Sequence, residues 1–247
     1  MKVATVATWT ERDDVLWSPL LRERGLVAGF TTRALGSMAG QHHPLDEQAR
    51  NRASVAASLG FADIVRVRQV HGRDVIHMDA PVEPWPVADG IWADRPGVLL
   101  GVAAADCVPV LVADADGAIG AAHAGWLGTS LRVAAALVET MVAGGARRER
   151  LVAALGPSIG PCCYTIDQER ADLVTSRIGR DALKRSGDRF VFDLWAANAA
   201  QLRDAGVARV EVSGICTLSG GADLWSYRGR PADGKYGTQI GFIGRRG

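Results

Sequence analysis

Apolar positions fall into short blocks whose period changes along the chain. Residues 26–31, Leu-Val-Ala-Gly-Phe-Thr, read as a buried strand, and an irregular Gly/His/Pro stretch follows at 36–44. Residues 47–59 are rich in Ala and Arg with apolar side chains at helical spacing, and Gly60 supplies the stop. Residues 64–70 alternate apolar with basic through Val65, Arg66, Val67 and Arg68, which predicts a strand with His71 at its end. Two apolar stretches then fill 98–112, interrupted at Asp106-Cys107, and Asp114-Ala115-Asp116-Gly117 supplies a turn. A short strand at 118–122 hands over to His123, which the pattern puts in a strand-to-helix loop.

From Thr129 the period becomes helical through Leu131, Ala135, Val138, Met141 and Val142, with Thr129 or Ser130 as cap and Gly144-Gly145 as stop. A buried strand at 151–155, a Gly/Pro-rich turn at 156–161 and a helix at 168–178 follow; Thr165 and Gln168 fit a capping box for that helix. Asp193 caps a further helix at 194–205, ended by Gly206, and strands are expected at 208–212 and 239–243. Strands cluster before the first long helices, so the class is α+β rather than a simple βαβ repeat. No linker, repeat or low-complexity tract divides the 247 residues, which predicts one domain over 1–247.

Composition narrows the partners. With 28 Lys+Arg against 27 Asp+Glu and a formal net charge of +1, no global field draws nucleic acid or anionic lipid, and neither is expected as a partner. The N-terminal MKVATVATWTERDD lacks the apolar centre of a signal peptide. The most apolar stretch, 98–113, is interrupted by Asp106 and Pro109. A cytoplasmic protein is therefore expected. Cys107, Cys162, Cys163 and Cys216 then read as reduced thiols or metal ligands rather than a disulfide framework.

Three groups carry chemistry where secondary structure breaks: Gln69-Val70-His71-Gly72, Ala105-Asp106-Cys107-Val108-Pro109 and His123-Ala124-Gly125-Trp126-Leu127-Gly128-Thr129. Two imidazoles and one thiolate make a three-ligand set for Zn²⁺ that leaves a fourth position for water or substrate. Glycines 72, 125 and 128 allow close backbone approach to a ligand, and the 123–129 loop offers free N–H groups to an anion such as phosphate. Spacing alone does not select this reading, since no HExxH or CxxC pattern is present, and a strand-end His and a buried Cys are more often structural. Asp89 and Asp106 are carboxylates able to orient an imidazole or move a proton. A regular strand would point Asp106 away from Cys107, in a structural role. His42, His43 and His77 read as ordinary surface residues. Cys162 and Cys163 are adjacent and unsuited to a mutual disulfide; Cys163 reads as packing or as a neighbour of the site, and Cys216 as packing.

An ordered set of blocks carries a resemblance: Gly29-Phe30-Thr31-Thr32-Arg33, Asn51-Arg52, Gln69-Val70-His71-Gly72, Ala88-Asp89-Gly90, Ala105-Asp106-Cys107-Val108-Pro109-Val110, His123-Ala124-Gly125-Trp126, Gly156-Pro157-Ser158-Ile159-Gly160-Pro161-Cys162-Cys163-Tyr164 and Ser226-Tyr227-Arg228. Together they resemble the laccase-domain family, also called YfiH-like or purine nucleoside phosphorylase-like, in order over nearly the whole chain. The resemblance implies a four-layer α/β/β/α sandwich and a zinc site on His71, Cys107 and His123, which would also be the catalytic residues. Leu127 stands where the family loop has Arg, and the family's Ser-Leu-Asn-x-Gly block is absent.

For function the resemblance implies phosphorolysis of adenosine, inosine or methylthioadenosine to free base and ribose 1-phosphate, with nucleoside and phosphate as small-molecule partners. Arg33 and Arg228, with Gly125 and Thr129 in the loop, would contact substrate. Adenosine deamination would suit a zinc that activates water, although the Glu of the usual zinc deaminases is not visible. Amide hydrolysis in peptidoglycan-precursor editing, with Cys107 as nucleophile and His123 as base, is the alternative, and a non-catalytic metal- or nucleotide-binding module is a third class. Copper-dependent polyphenol oxidation is disfavoured, because five histidines with no His-x-His pair cannot add the imidazole cluster that a multicopper oxidase needs. Copper would then be an adventitious occupant of the His₂Cys site.

Overall fold

Two neighbouring strands, β7 (Val108–Asp114) and β8 (Ile119–Ala124), have every residue buried. Their side chains are mostly Val, Leu, Ile and Ala, as fits strands covered on both faces. In the computed structural model, which describes residues 9–114 and 117–247, they belong to a six-stranded sheet of order β13-β9-β7-β8-β5-β4. Its other members are β4 (Val75–His77), β5 (Gly90–Ala93), β9 (Leu151–Leu155) and β13 (Arg209–Val212). An antiparallel five-stranded sheet runs β1-β2-β3-β14-β6, from β1 (Thr10–Arg12), β2 (Val15–Trp17), β3 (Val27–Thr31), β6 (Leu99–Ala104) and β14 (Gln239–Gly244).

The sheets meet face to face. Leu111, Ala113, Ile119 and Ala121, one parity of β7 and β8, share a core with Phe30, Leu100, Val102 and Ile243. The opposite parity, Val108, Val110, Val112 and Ala122, packs with Leu137 and Met141 of α4 (Val133–Ala143) and Leu202 of α6 (Leu194–Asp204). On the far side α2 (Leu45–Leu59) lays Val55, Ala56 and Leu59 against Leu99, Ile240 and Phe242. The α+β class and its α/β/β/α layering follow from these three cores. Smaller elements complete the frame: α1 (Pro19–Arg22), α3 (Trp126–Ser130), α5 (Gln168–Ile178) and a sheet of β10 (Thr165–Ile166), β12 (Arg189–Phe192) and β11 (Leu183–Ser186).

Several expectations are corrected. Residues 64–70 are extended without joining a sheet: Val65 and Arg68 make single bridges to Leu100 and Val87. At Gln69 the side-chain amide pairs with both backbone groups of Ala103, at 2.8 Å each, and replaces a strand ladder. His123 lies inside β8, opposite Pro109, and not in a loop. The helix expected from Thr129 is two helices, α3 and α4, because Arg132 turns into the left-handed region at φ 65°. Asp167, not Thr165, caps α5 by accepting the Arg170 amide at 2.9 Å. The centre of the 114–117 turn, Ala115-Asp116, and residues 1–8 of the N-terminal segment lie outside the described residues.

Candidate metal centre

Each candidate ligand arrives on a segment that the backbone fixes. His71 ends the extended run at φ 62°, and the amides of Val70, His71 and Gly72 all donate to the Asp89 carboxylate, at 3.1, 2.9 and 2.6 Å. Cys107 stands between β6 and β7, directly after Asp106 at φ 87°. That kink breaks strand alternation, so Asp106 and Cys107 border the same cavity instead of facing apart. The Asp106 carboxylate is held by the Thr217 hydroxyl and the Arg228 amide, both donating at 2.6 Å. His123, only 4% exposed, donates its backbone amide to the Asp89 carbonyl at 2.7 Å and places Nδ1 3.0 Å from Asp89 Oδ1. A carboxylate acceptor there puts the proton on Nδ1 and leaves the Nε2 lone pair for a ligand.

The three side chains converge. One ligand atom from each of His71, Cys107 and His123 lies within 4.8 Å of the others, and the two rings stand 4.8 Å apart between centroids at 77°. Tetrahedral zinc with Zn–N near 2.0–2.1 Å and Zn–S near 2.3 Å would set these atoms roughly 3.5 Å apart, so a small contraction suffices. Gly125 makes the approach possible: a Cβ on it would stand 2.7 Å from Cys107 Sγ and 3.2 Å from His71 Cδ2. The donor set and its carboxylate-anchored imidazole thus fit a divalent cation with one open position.

Electrostatics agree with that chemistry. Burial pushes the Cys107 thiol up, but His123 and then His71 outweigh it and bring the thiol down to about 6. Burial pushes His123 down, while the Cys107 charge and the Asp89 hydrogen bond raise it to about 9. Asp89 is pushed up by burial, yet His123 and the donating amides hold it below the usual carboxylate range. The surrounding charges thus favour deprotonation of the Cys107 thiol, with His123 held in place by the Asp89 carboxylate.

The cluster borders a cavity of about 730 Å³ with aromatic walls at Trp126, Tyr164, Tyr227 and Tyr236 and guanidinium groups from Arg66, Arg68, Arg170, Arg189 and Arg228. Arg228 lies over Tyr164 with its Cζ 5.1 Å from the ring centroid, and Arg170 over Trp126 at 5.5 Å. Arg66 stacks on Trp85 at 3.6 Å; burial, then the neighbouring Arg52 charge, lowers it to about 10. Burial raises the Tyr164 hydroxyl further above its ordinary value, and the nearby Cys107 charge adds to this.

Among the residues expected to contact substrate, Arg228 borders this cavity. Gly125 lies beneath the ligands, so its absent side chain serves Cys107 and His71. Thr129 faces away from the cavity. It is fully buried, its hydroxyl accepts from Asn198 Nδ2 at 2.9 Å, and its carbonyl accepts from Gln201 at 2.8 Å. Arg33 sits in an adjoining pocket of about 220 Å³, 3.4 Å from Asp223 and over Trp225. His42 and His43 rest on Tyr236 and Trp225, and His77 pairs with Asp94 at 3.1 Å. Sequence reasoning missed the wall residues Arg66, Arg68, Arg170 and Arg189. The basic alternation at 64–70 carried the signal for the first two, since period-two spacing sends Arg66 and Arg68 to one face.

Among the described residues no helix is long and apolar enough to cross a membrane. A purine nucleoside phosphorylase of Deinococcus radiodurans is 44% identical over 225 residues, covering 85% of this chain and 87% of that protein. The crystal structure of YlmD from Geobacillus stearothermophilus aligns with a TM-score of 0.85 at 29% identity, covering 97% of this chain and 99% of that one. Bacillus licheniformis YfiH gives 0.85 at 27%, covering 96% and 98%. A sequence profile described as multi-copper polyphenol oxidoreductase laccase matches residues 24–246. On that match and these relatives, the chain belongs to the multi-copper polyphenol oxidoreductase laccase family, the YfiH-like proteins.

Proposed function

We propose that the protein is a zinc-dependent purine nucleoside phosphorylase acting on adenosine, inosine or methylthioadenosine, with phosphate, to give free purine and a ribose 1-phosphate. The observation that carries this reading is the junction of the His71–Cys107–His123 cluster with a cavity that offers both aromatic faces and guanidinium groups. A purine ring is bound by stacking, and phosphate by the planar forks of arginine. The name of the Deinococcus relative points to the same reaction.

Zinc suits two imidazoles and a thiolate. Held by His71, Cys107 and His123, it would supply Lewis acidity and positive charge beside the reacting oxygens. The chain's own groups do the rest. Arg228, Arg170 and Arg189 hold phosphate, and Trp126, Tyr227 and Tyr236 hold the base. Asp89 keeps His123 oriented, and Tyr164 stays a neutral hydrogen-bond donor in the wall. Arg170, against Trp126 of α3, brings a guanidinium to the turn from which Leu127 removes one. A phosphate oxygen bonds to C1′ as the C1′–N9 bond breaks; its electron pair leaves with the purine, which takes up a proton. For copper oxidase chemistry the site lacks partners, because His42, His43 and His77 are engaged away from the cluster.

A second reading rests on one specific feature: the Cys107 thiolate, the His123 imidazolium and the Asp89 carboxylate form a relay like those of cysteine hydrolases. It would cleave an amide in a peptidoglycan precursor. Zinc-loaded protein incubated with adenosine, with and without phosphate, separates the readings by chromatography. Phosphorolysis gives adenine and ribose 1-phosphate in equal amounts and only with phosphate. Inosine formed without phosphate assigns deamination. Amide release from a nucleotide-linked muropeptide by chelated protein assigns the hydrolase, and binding without turnover assigns a non-catalytic module.

A further inference from the structure

We infer that Cys162, Cys163 and Cys216 form a second metal site, for a thiophilic d¹⁰ cation such as Zn²⁺, that fastens the cavity wall. The three sulfurs lie within 4.8 Å of one another and share no residue with the His71 cluster. Thiolates around one tetrahedral zinc stand roughly 3.8 Å apart, from a Zn–S distance near 2.3 Å. A fourth donor is in place. The Cys163 thiol donates to Ser219 Oγ at 3.3 Å, and Cys162 Sγ is 3.4 Å from the same oxygen. The Gly160 amide points at Cys216 Sγ from 3.3 Å, a donor placed to favour thiolate.

Burial runs from Cys216, enclosed at 4% exposure, through half-buried Cys163 to exposed Cys162, which gives an ion a way in from solvent. Adjacent cysteines, poor partners for a mutual disulfide, can each turn a sulfur to a common ion.

The two strands of chain that carry these thiols are already sewn together. The Ser158 amide donates to the Ile215 carbonyl at 3.2 Å, and the Thr217 amide to the Ser158 carbonyl at 3.1 Å. An ion here would lock that junction. Next to Cys163 is Tyr164 in the cavity wall, and next to Cys216 is Thr217, whose hydroxyl holds Asp106 beside Cys107. The site therefore acts as a structural clip, and its occupant positions residues that border the catalytic cavity without touching substrate.

Metal-free protein, kept reduced with a phosphine, is titrated anaerobically with Co²⁺ as wild type, as Cys107→Ser and as the double variant Cys162→Ser/Cys216→Ser. Wild type is expected to hold two equivalents through gel filtration. Cys107→Ser should hold one with a strong sulfur-to-cobalt charge-transfer band, and the double variant one with a weaker band from a single thiolate. Should the double variant not fold, zinc-edge absorption of wild type reads the same point, with the triad adding three sulfurs to that of Cys107. A single retained equivalent in wild type, with one sulfur at the zinc edge and no band in Cys107→Ser, would overturn the inference.

Discussion

Asp89 accepts from three consecutive amides and from the His123 ring, so one buried carboxylate positions two of the three candidate ligands. Replacing it with Asn keeps the shape but gives up the charge and one acceptor oxygen. Asp89→Asn is expected to weaken zinc binding by about 10–100-fold, as for other partners of ligating histidines, and to destabilise the fold by roughly 3 kcal/mol. Chelator competition and urea unfolding measure the two effects; unchanged zinc affinity would show that the carboxylate does not orient the ligands. Gly125 acts by absence. Its φ of −75° suits any residue, so Gly125→Ala should leave the backbone intact while its methyl displaces Cys107 Sγ. A zinc affinity at least tenfold lower with a near-native urea midpoint is expected, whereas wild-type affinity would contradict the close packing.

Long elements with strong periodicity were readable from residue patterns, and the strand ends that build the site were not. The helices at 45–59, 168–178 and 194–204 and the strand at 151–155 fall within a few residues of their expected places. Strands of two to four residues, such as β4, β5 and β10, are too short to show a period, and β5 abuts Asp89. The positive-φ turns at His71, Asp106 and Arg132 have no clear sequence signature, because no glycine marks them and non-glycine residues adopt that region only occasionally. At Arg132 the strain serves only to separate α3 from α4. Arg132→Gly should therefore raise folding stability by about 1 kcal/mol, read from the urea midpoint; a lower midpoint would mean that the arginine side chain outweighs the strain. Between β13 and α1, Glu211 accepts from the Ser18 hydroxyl at 2.5 Å and from the Leu20 amide at 3.3 Å, and burial raises its carboxyl above the ordinary 4.5. A folded pKa above the unfolded one means that its contribution is fully present below about 4.5 and is lost as pH rises through the folded value. The stability difference between Glu211→Gln and wild type should accordingly shift toward the variant from pH 4 to pH 7. A pH-independent difference would contradict the raised carboxyl.

At the scale of the molecule, a near-neutral chain concentrates charge that its composition conceals. Against a formal net charge of +1, five guanidinium groups gather around one cavity, brought there by four separate segments of the fold. Order along the chain identified the family and pointed to three candidate ligands and to Arg228, while most of the wall around them emerged only when the layers were assembled. The sandwich brings His123 from the six-stranded sheet, Cys107 from the link between sheets and His71 from the run laid against β6, with Asp89 joining them. The most direct measurement is ribose 1-phosphate formation from adenosine and phosphate by wild type and by Cys107→Ser, each stripped of metal and then titrated with Zn²⁺. Activity that is absent after stripping and restored by zinc in wild type but not in Cys107→Ser is the expected result. Full activity of the stripped wild type, none at any zinc level, or wild-type activity restored in Cys107→Ser would contradict it.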